Sequence, residues 1–101
     1  MRLEATLLRS VERHLKKLAS QDPRLVWRKR HGSVFTTAGD PDITGLWAGR
    51  HFEMELKKTG ESPTLLQHTR LAQWQRAGAH TFVIHSLSEF QAAIDTLRQV
   101  V

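Results

Sequence analysis

Asp42, Glu55 and Lys57 are the residues of this chain whose types and spacing best suit chemistry. They lie in GDPDITGLWAGRHFEMELKK, residues 39–58, which packs four acids and three basic residues into what otherwise reads as strand, turn and strand. A turn at Ala48 and Gly49 sets Trp47 against Arg50. Antiparallel pairing then matches residues whose numbers sum to 97. Asp42 falls opposite Glu55, and Thr44 opposite Glu53. Side chains alternate between the faces of a strand. One face therefore carries Asp42, Thr44, Leu46, His51, Glu53, Glu55 and Lys57, and the other carries Ile43, Trp47, Phe52, Met54 and Leu56. The second set is a core face, which supports the register.

Directly opposed residues have Cβ atoms only about 4.5–5.5 Å apart. Two carboxylates that close repel unless one is protonated or a cation lies between them. Hard oxygen donors favour Mg²⁺ or Mn²⁺ over zinc. Lys57 follows Glu55 on the same face and could hold a water or a phosphate oxygen. Paired acids, a divalent ion and a lysine suit phosphodiester hydrolysis, in which the ion lowers the pKa of a bound water and stabilises charge on phosphate. The competing reading of the same acids is a solvated strand face with cross-strand ion pairs. Glu53 reads as a peripheral acid paired with an arginine. The six histidines show no metal-ligand clustering, and His51, His80 and His85 read as packing or surface residues.

The elements that must position these residues follow from periodicity. Residues 2–19 read as an amphipathic helix, with Leu3, Leu7, Leu8, Val11, Leu15 and Leu18 at helical spacing and a stop before Asp22-Pro23. Residues 25–30, 42–47, 50–57 and 81–85 read as strands. Residues 63–77 read as a second helix, with Pro63 in its first turn and Gly78 as its stop. Residues 87–100 read as a third helix, opened by Ser86 and Glu89 at capping-box spacing. The order α-β-β-β-α-β-α makes an α/β domain, a small mixed sheet flanked by helices.

At 101 residues the chain is one domain, 1–101, with a modest core. It carries 15 Lys and Arg against 10 Asp and Glu, and that net charge of +5 suits a polyanionic partner such as nucleic acid. Cysteine is absent, which excludes disulfides and thiolate zinc sites. No apolar run reaches the length of a membrane span, and no signal-like segment follows Met1. A cytoplasmic protein is the expectation.

Together these residues resemble the PD-(D/E)xK nucleases, and more closely their virus-type replication-repair branch, VRR-NUC. That branch shows a helix with an early Glu, a G-x-PD segment, an E-x-K strand, and a Gln opening a helix that ends in Gly. The matching positions are Glu4, residues 39–42, residues 55–57, Gln67 and Gly78. The resemblance implies a restriction-endonuclease-like core. It implies that Asp42, Glu55 and the backbone carbonyl of Leu56 bind Mg²⁺ or Mn²⁺, with Glu4 adding a carboxylate. Lys57 would activate water, and Gln67 would steady Lys57 or the phosphate. It further implies a bacterial or phage protein that resolves four-way DNA junctions as a homodimer. Arg28, Arg30, Arg50, Lys58 and Arg70 are candidate phosphate contacts, which position DNA without reading its sequence. The residues themselves leave room for a flap-cutting, nicking or restriction-like nuclease, or for a basic DNA-binding module without catalysis. Glu4 also reads as a first-turn helix acid. Gln67 also reads as a cap, since Thr64 and Gln67 have capping-box spacing.

Overall fold

The structure, a computed structural model, describes residues 3–30 and 36–99, with the side chains of Leu3 and Glu4 outside the described set. Its elements are α1 (Leu3–Gln21), β1 (Leu25–Lys29), β2 (Ile43–Trp47), β3 (Arg50–Leu56), α2 (Leu65–Arg76), β4 (His80–Ile84) and α3 (Leu87–Gln99). The order is the expected α-β-β-β-α-β-α. The four strands form one mixed sheet in the order β1-β2-β3-β4, antiparallel except for the β3–β4 pair.

The β2–β3 register is the one that alternation dictates, running from Ile43↔Met54 to Trp47↔Arg50. Both turn residues have positive φ, 49° at Ala48 and 86° at Gly49. A two-residue hairpin needs that geometry to match the strands' right-handed twist. Gly45 serves a different need. A Cβ there would lie 2.2 Å from the ring of Phe52, its cross-strand partner, so only glycine admits the ring.

The core lies between one sheet face and the pair α1 and α3. Leu7, Val11 and Leu15 of α1 and Phe90, Ala93, Ile94 and Leu97 of α3 close on Ile43, Phe52, Met54, Leu56 and Ile84. Helix α2 lies over the opposite face, where Trp74 meets His51 with ring centroids 5.0 Å apart. That face holds the charges. Among the described residues, no helix is long and apolar enough to cross a membrane.

The element ends fall within one or two residues of the sequence expectation, and the two expected helix caps turn out differently. Helix α2 starts after Thr64, which leaves Pro63 outside it. The reason is a complete capping box: the Thr64 hydroxyl accepts from Gln67 N–H at 3.2 Å, and Gln67 Oε1 accepts from Thr64 N–H at 2.9 Å. At α3 only half of the expected box forms. Ser86 Oγ accepts from Glu89 N–H, but the Glu89 carboxylate accepts from the N–H of His85.

Candidate active site

The β2–β3 ladder stops at Ile43↔Met54, one residue short of Asp42 and Glu55. Continuing the register by one step sets those two residues opposite each other. Asp42 extends the pairing with its side chain: Oδ2 accepts from the N–H of Leu56 at 2.8 Å. A strand residue's carbonyl leaves on the same side as its N–H, as the paired bonds of an antiparallel ladder require. The carbonyl of Leu56 therefore opens toward Asp42. Glu55 is 2% exposed, and Lys57 Nζ lies 4.0 Å from Glu55 Oε2. Lys57 is anchored beyond the strand end by its own N–H, which donates to Ile84 of β4 at 2.9 Å. Asp42, Glu55, Leu56 and Lys57 thus share one end of the sheet.

This donor set fits a hard divalent cation: two carboxylates and a carbonyl, all oxygen, with a lysine alongside. Among the described residues, no three His, Asp or Glu side chains gather closely enough to hold a metal by themselves. Glu4, the third carboxylate that the resemblance implies, lies outside the residues whose side chains are described. Gln67 stands at the start of α2, where its Oε1 caps the helix.

Glu53 pairs with an arginine, as the sequence led one to expect, but its depth differs from that expectation. It is not a peripheral acid; its exposure is 0%. Arg30 donates to both of its carboxylate oxygens, at 2.5 and 3.3 Å. Thr44, its cross-strand partner, donates from Oγ1 to Oε2, and His51 Nε2 lies 2.5 Å from the same oxygen. Trp74 of α2 roofs this cluster, with the Arg30 guanidinium 5.1 Å from the ring centroid. Alternation already put Thr44, His51, Glu53 and Glu55 on one face. Nothing in the sequence said that α2 would lay an indole over them.

The five candidate phosphate contacts are scattered. Arg30 is turned inward, its guanidinium donating to Glu53 and to the carbonyl of Pro41. Arg70 donates to Ala38 O and Gln73 Oε1. Arg28 is exposed and donates to its neighbour's carbonyl, and Lys58 stands 3.9 Å from Glu61. Arg50 lies at the hairpin end of β3, where its Nε is buried and has no hydrogen-bond acceptor among the described residues. It lines a cavity of about 310 Å³ with Arg24, Arg98, Trp47 and Asp22. Arg24, hydrogen-bonded through its guanidinium, holds the Asp22 carboxyl well below the usual carboxylate range, and Trp47 Nε1 adds to the effect.

The fold is an α/β domain in which α1 and α3 cover one face of a four-stranded mixed sheet and α2 lies over the other. Solved structures place it more narrowly. One titled "VRR_NUC domain" superposes with a TM-score of 0.75 at 21% identity, covering 94% of this chain and 97% of that one. Another, titled "VRR_NUC domain protein", gives a TM-score of 0.69 at 15% identity over 95% of this chain and 88% of that one. The chain has the VRR_NUC fold over nearly its whole length. No family model and no curated protein matches the sequence.

Proposed function

We propose that this protein is a divalent-metal-dependent nuclease of the PD-(D/E)xK type that hydrolyses DNA phosphodiesters. One observation carries the reading. The Asp42 carboxylate accepts from the N–H of Leu56, and the residues on either side of Leu56 are Glu55 and Lys57, with Lys57 Nζ 4.0 Å from Glu55 Oε2. This arrangement sits in a VRR_NUC fold.

Asp42, Glu55 and the carbonyl of Leu56 are the residues that would hold Mg²⁺ or Mn²⁺. When bound, the ion supplies an acidified water and a counter-charge for the phosphate. Lys57 would orient that water or a phosphate oxygen from beside Glu55, its ammonium donating a hydrogen bond. Its side chain is only 11% exposed, so its donors are directed by the site and not dispersed in solvent. Basic residues outside the site draw in the polyanion. Resolution of four-way junctions by a homodimer is the finer form of this proposal. It rests on the resemblance and on the need for two sites to cut both strands symmetrically. A two-fold dimer supplies them.

The experiment offers labelled four-way junction, flap and linear duplex with Mg²⁺, with Mn²⁺ or with EDTA. Cutting should require the ion. Asp42→Ala and Lys57→Ala should each abolish it while DNA binding persists. Normal cutting by either variant would overturn the site. No cutting of any substrate by the wild-type chain would favour the basic DNA-binding module. Light scattering tests the dimer, and a monomer at micromolar concentration would count against the junction-resolving form.

A further inference from the structure

Asp42 lies beyond the ladder, so the pairing of β2 with β3 does not by itself hold it. The segment 38–42 is instead pinned from two directions. From the sheet, Arg30 donates its backbone N–H to Asp42 O at 2.8 Å and its Nη1 to Pro41 O at 2.9 Å. From α2, Trp74 Nε1 donates to Asp40 Oδ1 at 3.1 Å, and Arg70 Nε donates to Ala38 O at 3.0 Å. Glu53 sets where Arg30 can reach, because it takes the guanidinium on both oxygens from a fully buried position. The ring of Trp74 then covers that guanidinium.

A buried ion pair is a poor source of net stability, since apolar residues of equal volume often serve as well. What a saturated buried carboxylate does well is fix the direction of its donors. Here the direction it fixes leads to Pro41, next to Asp42. We propose that Glu53 and Trp74 are positioning residues that hold the Asp42 carboxylate beside Glu55, Glu53 acting through Arg30 and Trp74 through Asp40. The consequence for cutting rests on the nuclease reading above; the geometry does not.

The Asp42 carboxylate carries its own reporter, the Leu56 N–H that it accepts at 2.8 Å. Amide hydrogen exchange, followed by NMR on the full chain, reads that bond with no metal or DNA present. Trp74→Phe keeps a ring and deletes the donor to Asp40. Glu53→Gln keeps the shape and deletes the charge. Each should speed exchange of the Leu56 amide about tenfold or more, while the Phe52 and Met54 amides within β3 keep wild-type rates. Trp74→Phe secures the test if Glu53→Gln fails to fold. Mn²⁺ affinity, measured by water-proton relaxation without DNA, should fall about 10-fold, the low end for loss of a residue supporting a ligand. Cutting should lose kcat with the KM for DNA unchanged. Unchanged Leu56 exchange in the folded variants would overturn the inference. So would an equal loss of protection along β3, which would make the cluster a general stabiliser. If the wild-type chain binds no Mn²⁺, the nuclease reading falls, and the exchange rates still decide whether Asp42 is held this way.

Discussion

Glu53, Glu55 and Glu89 are the same side chain in three electrical settings. Glu53 is sealed under Trp74 and takes donors from Arg30, Thr44 and His51. Glu55 is as deeply placed but lies at a sheet end beside Lys57. Glu89 is exposed, and its Oε1 accepts from the backbone N–H of His85 at 2.6 Å and faces that residue's Nδ1 at 3.0 Å. This last pair carries a pH dependence of its own. The imidazole of His85 is raised above its ordinary 6.5, first by the carbonyl of Glu61 at 2.8 Å from Nε2 and then by Glu89. Glu89 is lowered below its ordinary 4.5, first by the His85 backbone N–H and then by the ring. A raised histidine stabilises the fold fully below its unfolded pKa and loses that contribution as pH rises through its folded one. A lowered glutamate stabilises above its unfolded pKa and loses the contribution as pH falls through its folded one. Both act together between 4.5 and 6.5. His85→Ala should therefore lower the melting temperature more at pH 5.5 than at pH 9. An equal loss at both values would show that the ring contributes by packing alone.

At the level of elements, the hairpin is where the sequence was most informative. Ile43, Trp47, Phe52, Met54 and Leu56 alternate with polar residues, and a register shift of one would have turned the acids into the apolar core and Phe52 onto the polar face. Gly45 tests how tightly that hairpin is specified. Three ring atoms of Phe52 lie within 2.9 Å of where its Cβ would stand, and Phe52 is fully buried with no room to retreat. Gly45→Ala should cost about 1–3 kcal/mol, the range for overpacking a core, measured by urea unfolding. Adding Phe52→Leu should recover part of the loss. A cost that grows with the second change would mean that the ring is not the obstacle. Helix α2 was harder to place. Its start depended on whether Pro63 or Thr64 opened it, and the reciprocal bonds between Thr64 and Gln67 decide for Thr64. Its inward face was illegible for a deeper reason. Trp74 contacts Arg30, His51 and Asp40, residues 44, 23 and 34 positions away. No local period encodes contacts of that range. The inward turn of Arg30 was hidden by the same distance: alternation gives its face, and only α2 shows that the face is covered.

At the scale of the whole molecule, the question is where a small basic domain with the proposed function would hold DNA once some of its cations are taken up internally. Arg30 is committed to Glu53 and Arg24 to Asp22. Arg50 differs, because a buried guanidinium N–H with no acceptor among the described residues is costly to leave so. The cavity it lines also holds Arg24 and Arg98, and Arg98 lies 5.6 Å from the Trp47 ring centroid. Asp22, the cavity's acid, already accepts from Arg24 and Trp47. Net positive charge therefore lines this cavity, three arginines against one aspartate, which suits a DNA phosphate. Contacts of this kind release counterions, so each phosphate neutralised steepens the fall of affinity with salt. Arg50→Gln should weaken binding by a similar factor on every sequence and reduce the slope of log affinity against log salt by about one. Fluorescence anisotropy of a labelled duplex in EDTA, over a range of salt concentrations, gives that slope without cutting. Arg28→Gln, on an exposed edge strand where the guanidinium donates to the carbonyl of Trp27, is the comparison. If Arg50→Gln leaves the slope at its wild-type value, the hairpin end does not touch DNA. The contacts would then have to come from the face that carries Asp42 and Glu55.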